Sequence, residues 1–172
     1  MAFFTEIFKD DTKNGCKIPT SEYLTSGKYP IIDQGKNFIS GYRNDKNGLY
    51  ANVPAIIFGD HTRILKYVDQ PFFIGADGVK IIKAKINNIS YKYLYYLLCN
   101  INIPNTGYNR HFKWLKSSKI NIHTIDIQNR IVKLLDHIEH IIFLRKQQIS
   151  KLDHLIKSRV IVENPSLMEA GA

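Results

Sequence analysis

Cysteine is nearly absent: Cys16 and Cys99 are the two in 172 residues, and neither sits in a CxxC spacing. That excludes a disulfide framework and a thiolate-built zinc site. No stretch reaches the ~18 uninterrupted apolar residues of a membrane-spanning helix, and the first residues lack the layout of a signal peptide. A cytosolic location with no membrane partner is therefore expected. The chain also lacks an HExxH pair, a nucleophile elbow and a glycine-rich phosphate loop, so the familiar signatures of catalysis are missing and no cofactor is implied. Acidic residues are few, 15 against 24 lysines and arginines, which leaves a formal net charge of +9. From Gly78 through Ile125 there is no Asp or Glu at all, while Lys80, Lys83, Lys85, Lys92, Arg110, Lys113, Lys116 and Lys119 all fall there. Such a surface attracts phosphate polyanions, although a solvated basic face with no partner has the same composition.

What is present divides the chain into three parts: a globular domain over residues 1–125, a long helix over 126–160 and a frayed tail over 161–172. Short runs rich in Ile, Val, Phe and Tyr recur in the first part, at YPIID, NFISGY, PAIIFG, RILKYV, PFFIG and GVKIIKAK, and turn signals such as RNDKNG and GADG separate them. They read as short strands of one mixed sheet. Ser90 caps an expected helix whose Tyr91, Leu94, Tyr95 and Leu98 pack on that sheet, and the basic, aromatic run GYNRHFKWLK follows in a loop with a short helical turn. The fold class is α+β.

Glycine and proline disappear between Ile127 and Arg159. Over the same span Ile131, Leu135, Ile138, Ile142, Ile149, Leu152 and Ile156 form a heptad stripe, broken by Arg145. Asp126 stands at the start, and roughly thirty helical residues make a rod of about 50 Å. An apolar seam of that length has to be covered. The first part offers no second long helix, so a homodimer through a coiled coil is expected, with a helix folded back on the globular domain as the alternative.

Two chemistries compete for the polar residues. Asp60, His61, Asp77 and His111 are the types that bind divalent cations and could assemble a small metal-dependent nuclease, but nothing in their spacing enforces this. Asp60 and His61 fixing a turn is the simpler account. Base recognition asks less of the same segment: Gln34, Asn37, Arg63, Asn109 and Arg110 are types that make bidentate contacts with base edges. His61 and His111 join that surface, while Lys66, Lys80, Lys113, Lys116 and the hydroxyls of Tyr42, Thr62 and Tyr108 suit phosphates. A coiled-coil adaptor that binds protein is a third possibility.

Read together, KIPTSEYLTSGKYPIIDQGKNFISGY, IIFGDHTRILKYVDQPFFIGADGVKII, GYNRHFKWLKSSKI and the helix carrying IQNRIVKLLDHIE and LRKQQISKLDHLIKS resemble the specificity subunits of type I restriction-modification systems. The resemblance implies a target recognition domain that reads one half of a split double-stranded DNA site. It also implies a spacer helix that docks methyltransferase subunits and, in the full assembly, a restriction subunit. Members usually carry two recognition domains and two spacer helices, and this chain carries one of each, as a half-subunit or a truncated one would. The proline-rich step that often precedes the helix is missing from INIHTIDIQ.

Overall fold

The computed structural model describes residues 1–75 and 77–163, with side chains through Arg159. The chain forms two compact units, Met1–Asn129 and the segment from Arg130 onward. In chain order the first unit contains β1 (Ala2–Phe3), α1 (Phe4–Ile7), β2 (Phe8–Asp10), β3 (Tyr29–Ile32), β4 (Gly41–Arg43), β5 (Ala55–Gly59), β6 (Leu65–Val68), β7 (Phe73–Ile74), β8 (Val79–Ala84), α2 (Tyr91–Cys99), α3 (Phe112–Lys116) and β9 (Lys119–Ile120). The helix α4, Ile125–Glu163, begins there and runs through the second unit.

One sheet was expected, and among the described residues there are three: β2-β8-β5-β6, β4-β3-β7 and the pair β1-β9. The sequence shows runs of β-forming residues but not their partners, and the split is a matter of pairing. β5 is the central strand. Every residue of its AIIFG run is buried, as a strand covered on both faces requires. It pairs antiparallel with β8 at Ile57 and Ile81 and with β6 at Ile57 and Lys66. Ala55 and Ile57 join Ile32, Phe72, Ile74, Val79 and Ile81 in a core between the two larger sheets. By alternation Ile56 and Phe58 face the other way. There Phe58 and Phe112 lie 5.8 Å apart and Phe112 meets Phe4 edge-on at 5.9 Å. The short α3 is therefore anchored by an aromatic ring in the core, which fixes where its lysines emerge.

The β3–β7 pairing is parallel and β3–β4 antiparallel, so the mixed character expected of the sheet survives in this smaller one. Ser90 caps α2, its Oγ accepting from the Tyr93 N–H at 3.2 Å. Tyr93, rather than Tyr91 or Tyr95, is buried with Leu94 and Leu98. The Tyr91 hydroxyl instead accepts from the Ala84 N–H at 3.0 Å, which keeps that ring at the helix margin.

The helix α4 starts one residue earlier than expected and continues through residues 161–163, where a tail was expected. The rest of that tail, residues 164–172, lies outside the described residues. Asp126 sits inside the first turn rather than before it, and the side chain that secures the start is Gln128. Buried, it accepts from the Ser90 N–H at 3.2 Å and donates to the His123 carbonyl at 2.9 Å. From Ile138 on, the stripe residues Ile138, Ile142, Ile149, Leu152 and Ile156 are exposed on the second unit. Among the described residues no helix is long and apolar enough to cross a membrane.

Truncating Phe58 to Ala should cost about 3–5 kcal/mol, as for other buried aromatic truncations, read as a lowered urea midpoint. Burial raises the Asp11 carboxyl, but hydrogen bonds outweigh it and hold it below the usual carboxylate value. These come from the Tyr50 hydroxyl at 2.8 Å and the Asn14 amide at 3.0 Å, with the Lys9 ammonium 3.3 Å away. A depressed folded pKa adds stability above the unfolded value near 3.8 and loses it as pH falls through the folded one. Tyr50→Phe should therefore move the acid-unfolding midpoint to higher pH, followed by circular dichroism across an acid titration.

Candidate nucleic-acid interface

The turn between β5 and β6, residues 60–64, is the centre of the site, and hydrogen bonds fix it from three directions. On one side the Asp60 N–H donates to the Gly78 carbonyl at 2.7 Å. On the second, Gln34 braces the turn: its Oε1 accepts from the His61 N–H at 3.2 Å, its Nε2 donates to the Asp77 carbonyl at 3.0 Å, and its own carbonyl accepts from the Thr62 hydroxyl at 2.7 Å. A Cβ on Gly78, whose φ is +87°, would press within 2.7 Å of that amide and 2.8 Å of the His61 ring, so glycine is required twice over. The backbone closes with the Arg63 N–H on the Gly59 carbonyl at 2.7 Å, and Arg63 itself takes a left-handed φ of 61°. That conformation is unusual for a residue with a side chain.

The third side joins the turn to the basic, aromatic segment. The Asp60 carbonyl accepts from the His111 N–H at 2.8 Å and lies 3.0 Å from His111 Nδ1. An Asp60 carboxylate oxygen takes the Phe112 N–H at 2.7 Å, serving the otherwise unsatisfied amides at the start of α3. Because a carbonyl can only accept, Nδ1 of His111 carries the proton. Its Nε2 then faces the Thr106 N–H and hydroxyl at 3.5 and 3.4 Å.

Around this clamp the chain presents a composite surface. Thr62, Tyr108, Asn109, Arg110, Lys113 and Lys116 are exposed, and His61, Arg63 and Lys80 are half-buried. The His61 and Tyr108 rings stack at 4.6 Å and 8°, and the Arg63 guanidinium donates to the Ile103 carbonyl at 3.3 Å. Lys80, Arg110, Lys113, Lys116 and Ser117 line a concavity of about 460 Å³ floored by Asp60 and Phe112. The Lys80 and Lys116 ammoniums stand 5.5 and 5.1 Å from the Phe112 ring centre, and Lys80 is shared with Asp10 at 3.4 Å. Below the turn, a hydrogen bond from Lys17, at 2.7 Å, and its charge hold the Asp77 carboxyl below the usual range, with Arg110 adding to the effect.

Several expected contact residues lie elsewhere. His111 is buried, with both ring nitrogens engaged as above, so it positions the surface rather than joining it. Lys66 is buried too, its ammonium donating to the carbonyls of Asn37 at 2.6 Å and Asp33 at 2.7 Å. Burial pushes that ammonium below the ordinary lysine value and the Asp33 carboxylate only partly offsets it. Alternation along β6 turns Lys66 inward, where it ties down residues 33–38. Gln34 is consumed as a brace. Asn37 stands exposed beside a second concavity, lined also by Thr20, Tyr23 and Lys36, and Tyr42 is half-buried on β4, bridged to Leu24. Lys83 is buried against the carbonyls of Asn52 and Pro54.

The four candidate metal ligands are not gathered. Asp60 and His111 are occupied by backbone groups and Asp77 by Lys17, and among the described residues no three His, Cys, Asp or Glu side chains form a cation site. Ser117, which closes the basic concavity, was not anticipated. Its position four residues after Lys113 on a helical turn is the signal that would have found it.

Asp60→Ala should lower stability by about 1–3 kcal/mol, the range for a buried donor left unpaired, and speed amide exchange at Phe112. Both effects should appear equally with and without chelator. Lys66→Met should destabilise to a similar extent, about 1–3 kcal/mol, and free the amides of residues 33–38 to exchange.

Comparison with known proteins accords with this architecture. Residues 3–154 match the family model described as type I restriction modification DNA specificity domain. The chain is 29% identical over 144 residues to the type I restriction enzyme EcoR124I/EcoR124II specificity subunit of Escherichia coli, which covers 76% of this chain and 36% of the relative. In fold it is similar to the type-I restriction-modification system S subunit from M. genitalium, with a TM-score of 0.67, 17% identity and coverage of 91% of this chain and 43% of the other. It is also similar to the HsdS subunit from Thermoanaerobacter tengcongensis, with a TM-score of 0.52, 17% identity and coverage of 85% and 38%. The chain thus spans well under half the length of these relatives. With a match that takes in both the clamped turn between β5 and β6 and most of the long helix, the chain belongs to the type I restriction modification DNA specificity domain family.

Proposed function

We propose that the chain is a sequence-reading, non-catalytic part of a type I restriction-modification enzyme, recognising one half of a split double-stranded DNA target in the cytoplasm. The observation that carries this reading is the placement of Arg110, Lys113, Lys116 and Lys80 around one concavity, directly beside the polar turn that holds Thr62 and Arg63. Cations that neutralise phosphates set register, and polar side chains next to them read base edges. Four cations of the acid-free stretch thus meet at one concavity, while Lys83 and Lys85 are spent on backbone carbonyls elsewhere.

The second unit supports docking and self-association. Its exposed apolar residues exceed a two-helix seam: beside the stripe of Ile138, Ile142, Ile149, Leu152 and Ile156, the side chains of Leu134, Ile141 and Leu155 are exposed, and seven-residue spacing places them along one flank of it. A band that wide suits more than one neighbouring helix. Phe143 and Leu144 are exposed as well and fall on the opposite side of the heptad. We read the stripe as the homodimer contact, which would bring two recognition surfaces to one bipartite site. The remaining apolar positions would meet a methyltransferase subunit and, in the full assembly, a restriction subunit.

Co-expression with the cognate methyltransferase, followed by mapping of methylated sites, should give a bipartite sequence; methylation without sequence preference would overturn the proposal. DNA affinity should fall with salt, and Arg110→Ala, Lys113→Ala and Lys116→Ala should each reduce the slope of log K against log salt by about 0.9 if each neutralises one phosphate. A charge at Leu152 (Leu152→Glu) should halve the mass in light scattering, because it would bury an unpaired charge in the seam.

A further inference from the structure

An acidic side chain stands on the face proposed above to meet DNA. Asp77 lies in the turn after β7, and its main chain belongs to the clamp. The Asp77 carbonyl accepts from Gln34 Nε2 at 3.0 Å, and the carbonyl of the next residue, Gly78, accepts from the Asp60 N–H at 2.7 Å. Gly78 also leaves no room for a Cβ beside the His61 ring. The Asp77 side chain, by contrast, is 91% exposed. Lys17 Nζ donates to its Oδ1 at 2.7 Å; that bond and the Lys17 charge, with Arg110 adding to them, keep the carboxylate ionised. Lys17 is itself bridged through its main chain to Ile74 of β7, so both members of the pair stand on fixed backbone.

An ion pair this open to water adds little to stability, while an ionised carboxylate repels a polyanion. Asp77 therefore weakens the phosphate contacts of its neighbours unless it meets a hydrogen-bond donor. A carboxylate can only accept, and the donors on the major-groove edges of DNA are the amino groups at adenine N6 and cytosine N4. The Lys17 ammonium has hydrogens left to give after its bond to Asp77, so an acceptor and a donor lie side by side, 2.7 Å apart. Adenine presents N6 beside N7, and a cytosine–guanine pair presents N4 beside O6; each edge complements that order.

We propose that Asp77 is a specificity-determining residue: its carboxylate accepts from the exocyclic amino group of one adenine or cytosine in the major groove, and Lys17 donates to the neighbouring N7 or O6. This role rests on the DNA-reading surface proposed above and extends it to a residue of the opposite charge. Discrimination comes from repulsion as much as from fit. With the base pair reversed, a thymine O4 or guanine O6 turns its lone pairs toward the carboxylate, and two acceptors face each other with no hydrogen between them.

Two measurements test this on the chain assembled with its methyltransferase subunit. In the first, binding selection from a randomised duplex library should show that Asp77→Ala relaxes the preference at one base pair by roughly tenfold, within the range of one base-edge contact, with other positions unchanged. Affinity for a duplex lacking the selected sequence should rise, because a repulsive charge is gone. Equal strengthening of all sequences, or an unchanged preference, would overturn the assignment. In the second, the duplex selected by wild type carries N6-methyladenine or N4-methylcytosine at that base pair, which keeps the pairing and replaces the major-groove hydrogen. Wild type should lose about tenfold in affinity, again the size of one contact, while Asp77→Ala binds the methylated and unmethylated duplexes alike; the base that responds identifies the amino group read. Equal loss in both proteins, or none in wild type, refutes the contact. If wild type itself selects no sequence, the DNA-reading assignment falls and the role of Asp77 falls with it; selection by wild type that Asp77→Ala leaves untouched removes the role of Asp77 alone.

Discussion

Asp60 is the residue on which the clamped polar surface depends. Its N–H, carbonyl and carboxylate donate or accept hydrogen bonds to two segments remote in sequence: Gly78 in the turn after β7, and His111 with Phe112 where the loop passes into α3. These bonds lie at the edge of an apolar core that Phe58 and Phe112 share, so little water competes for them and their geometry is strongly enforced. Loops of this kind usually vary in position. Here both are locked to the end of the central strand, which makes the surface they share a fixed shape.

Charge in this molecule is sorted by burial rather than by abundance. Of the lysines in and near the acid-free stretch, Lys66 and Lys83 are buried against backbone carbonyls, and Lys80 is partly matched by Asp10. Arg110, Lys113 and Lys116 remain exposed around one hollow. A buried ammonium surrounded by carbonyls holds loops in place and adds almost nothing to the outer field, whereas three exposed cations on one rim focus it. Net charge alone therefore overstates the number of groups available to a polyanion and says nothing of where they gather.

Local patterns carried much of this into the sequence. The helix after Ser90, the short helix in the basic, aromatic run and the long terminal helix follow from capping and periodicity, which depend on near neighbours. The division into three sheets does not, because strand partners such as β3 and β7 are some forty residues apart and nothing in either run names the other. The site divides the same way. That Arg63, Tyr108 and Arg110 share a face is visible only in part, through the turn signals around them. That Lys66 and His111 turn inward depends on strand alternation and on an aspartate fifty-one residues away. Gln34 looked like a reader of bases because its amide can be one; the fold had already used both ends of it.

The clamp also has a consequence for how such a surface changes over generations. The groups that build it, Asp60, Gln34, Gly78, His111 and Lys66, are largely hidden, and they act mostly on main-chain atoms, which every replacement of a neighbouring side chain leaves intact. The exposed side chains of Tyr108 and Arg110 contribute comparatively little to holding the loops, whereas those of Thr62 and Asn109 are tied to Gln34 and Thr106. The arrangement resembles a socket board: the holes are set by the board, and the pegs can be exchanged one at a time. Under the proposed function, a new target would require replacement only at outward positions, while the frame that holds the loops is left as it is.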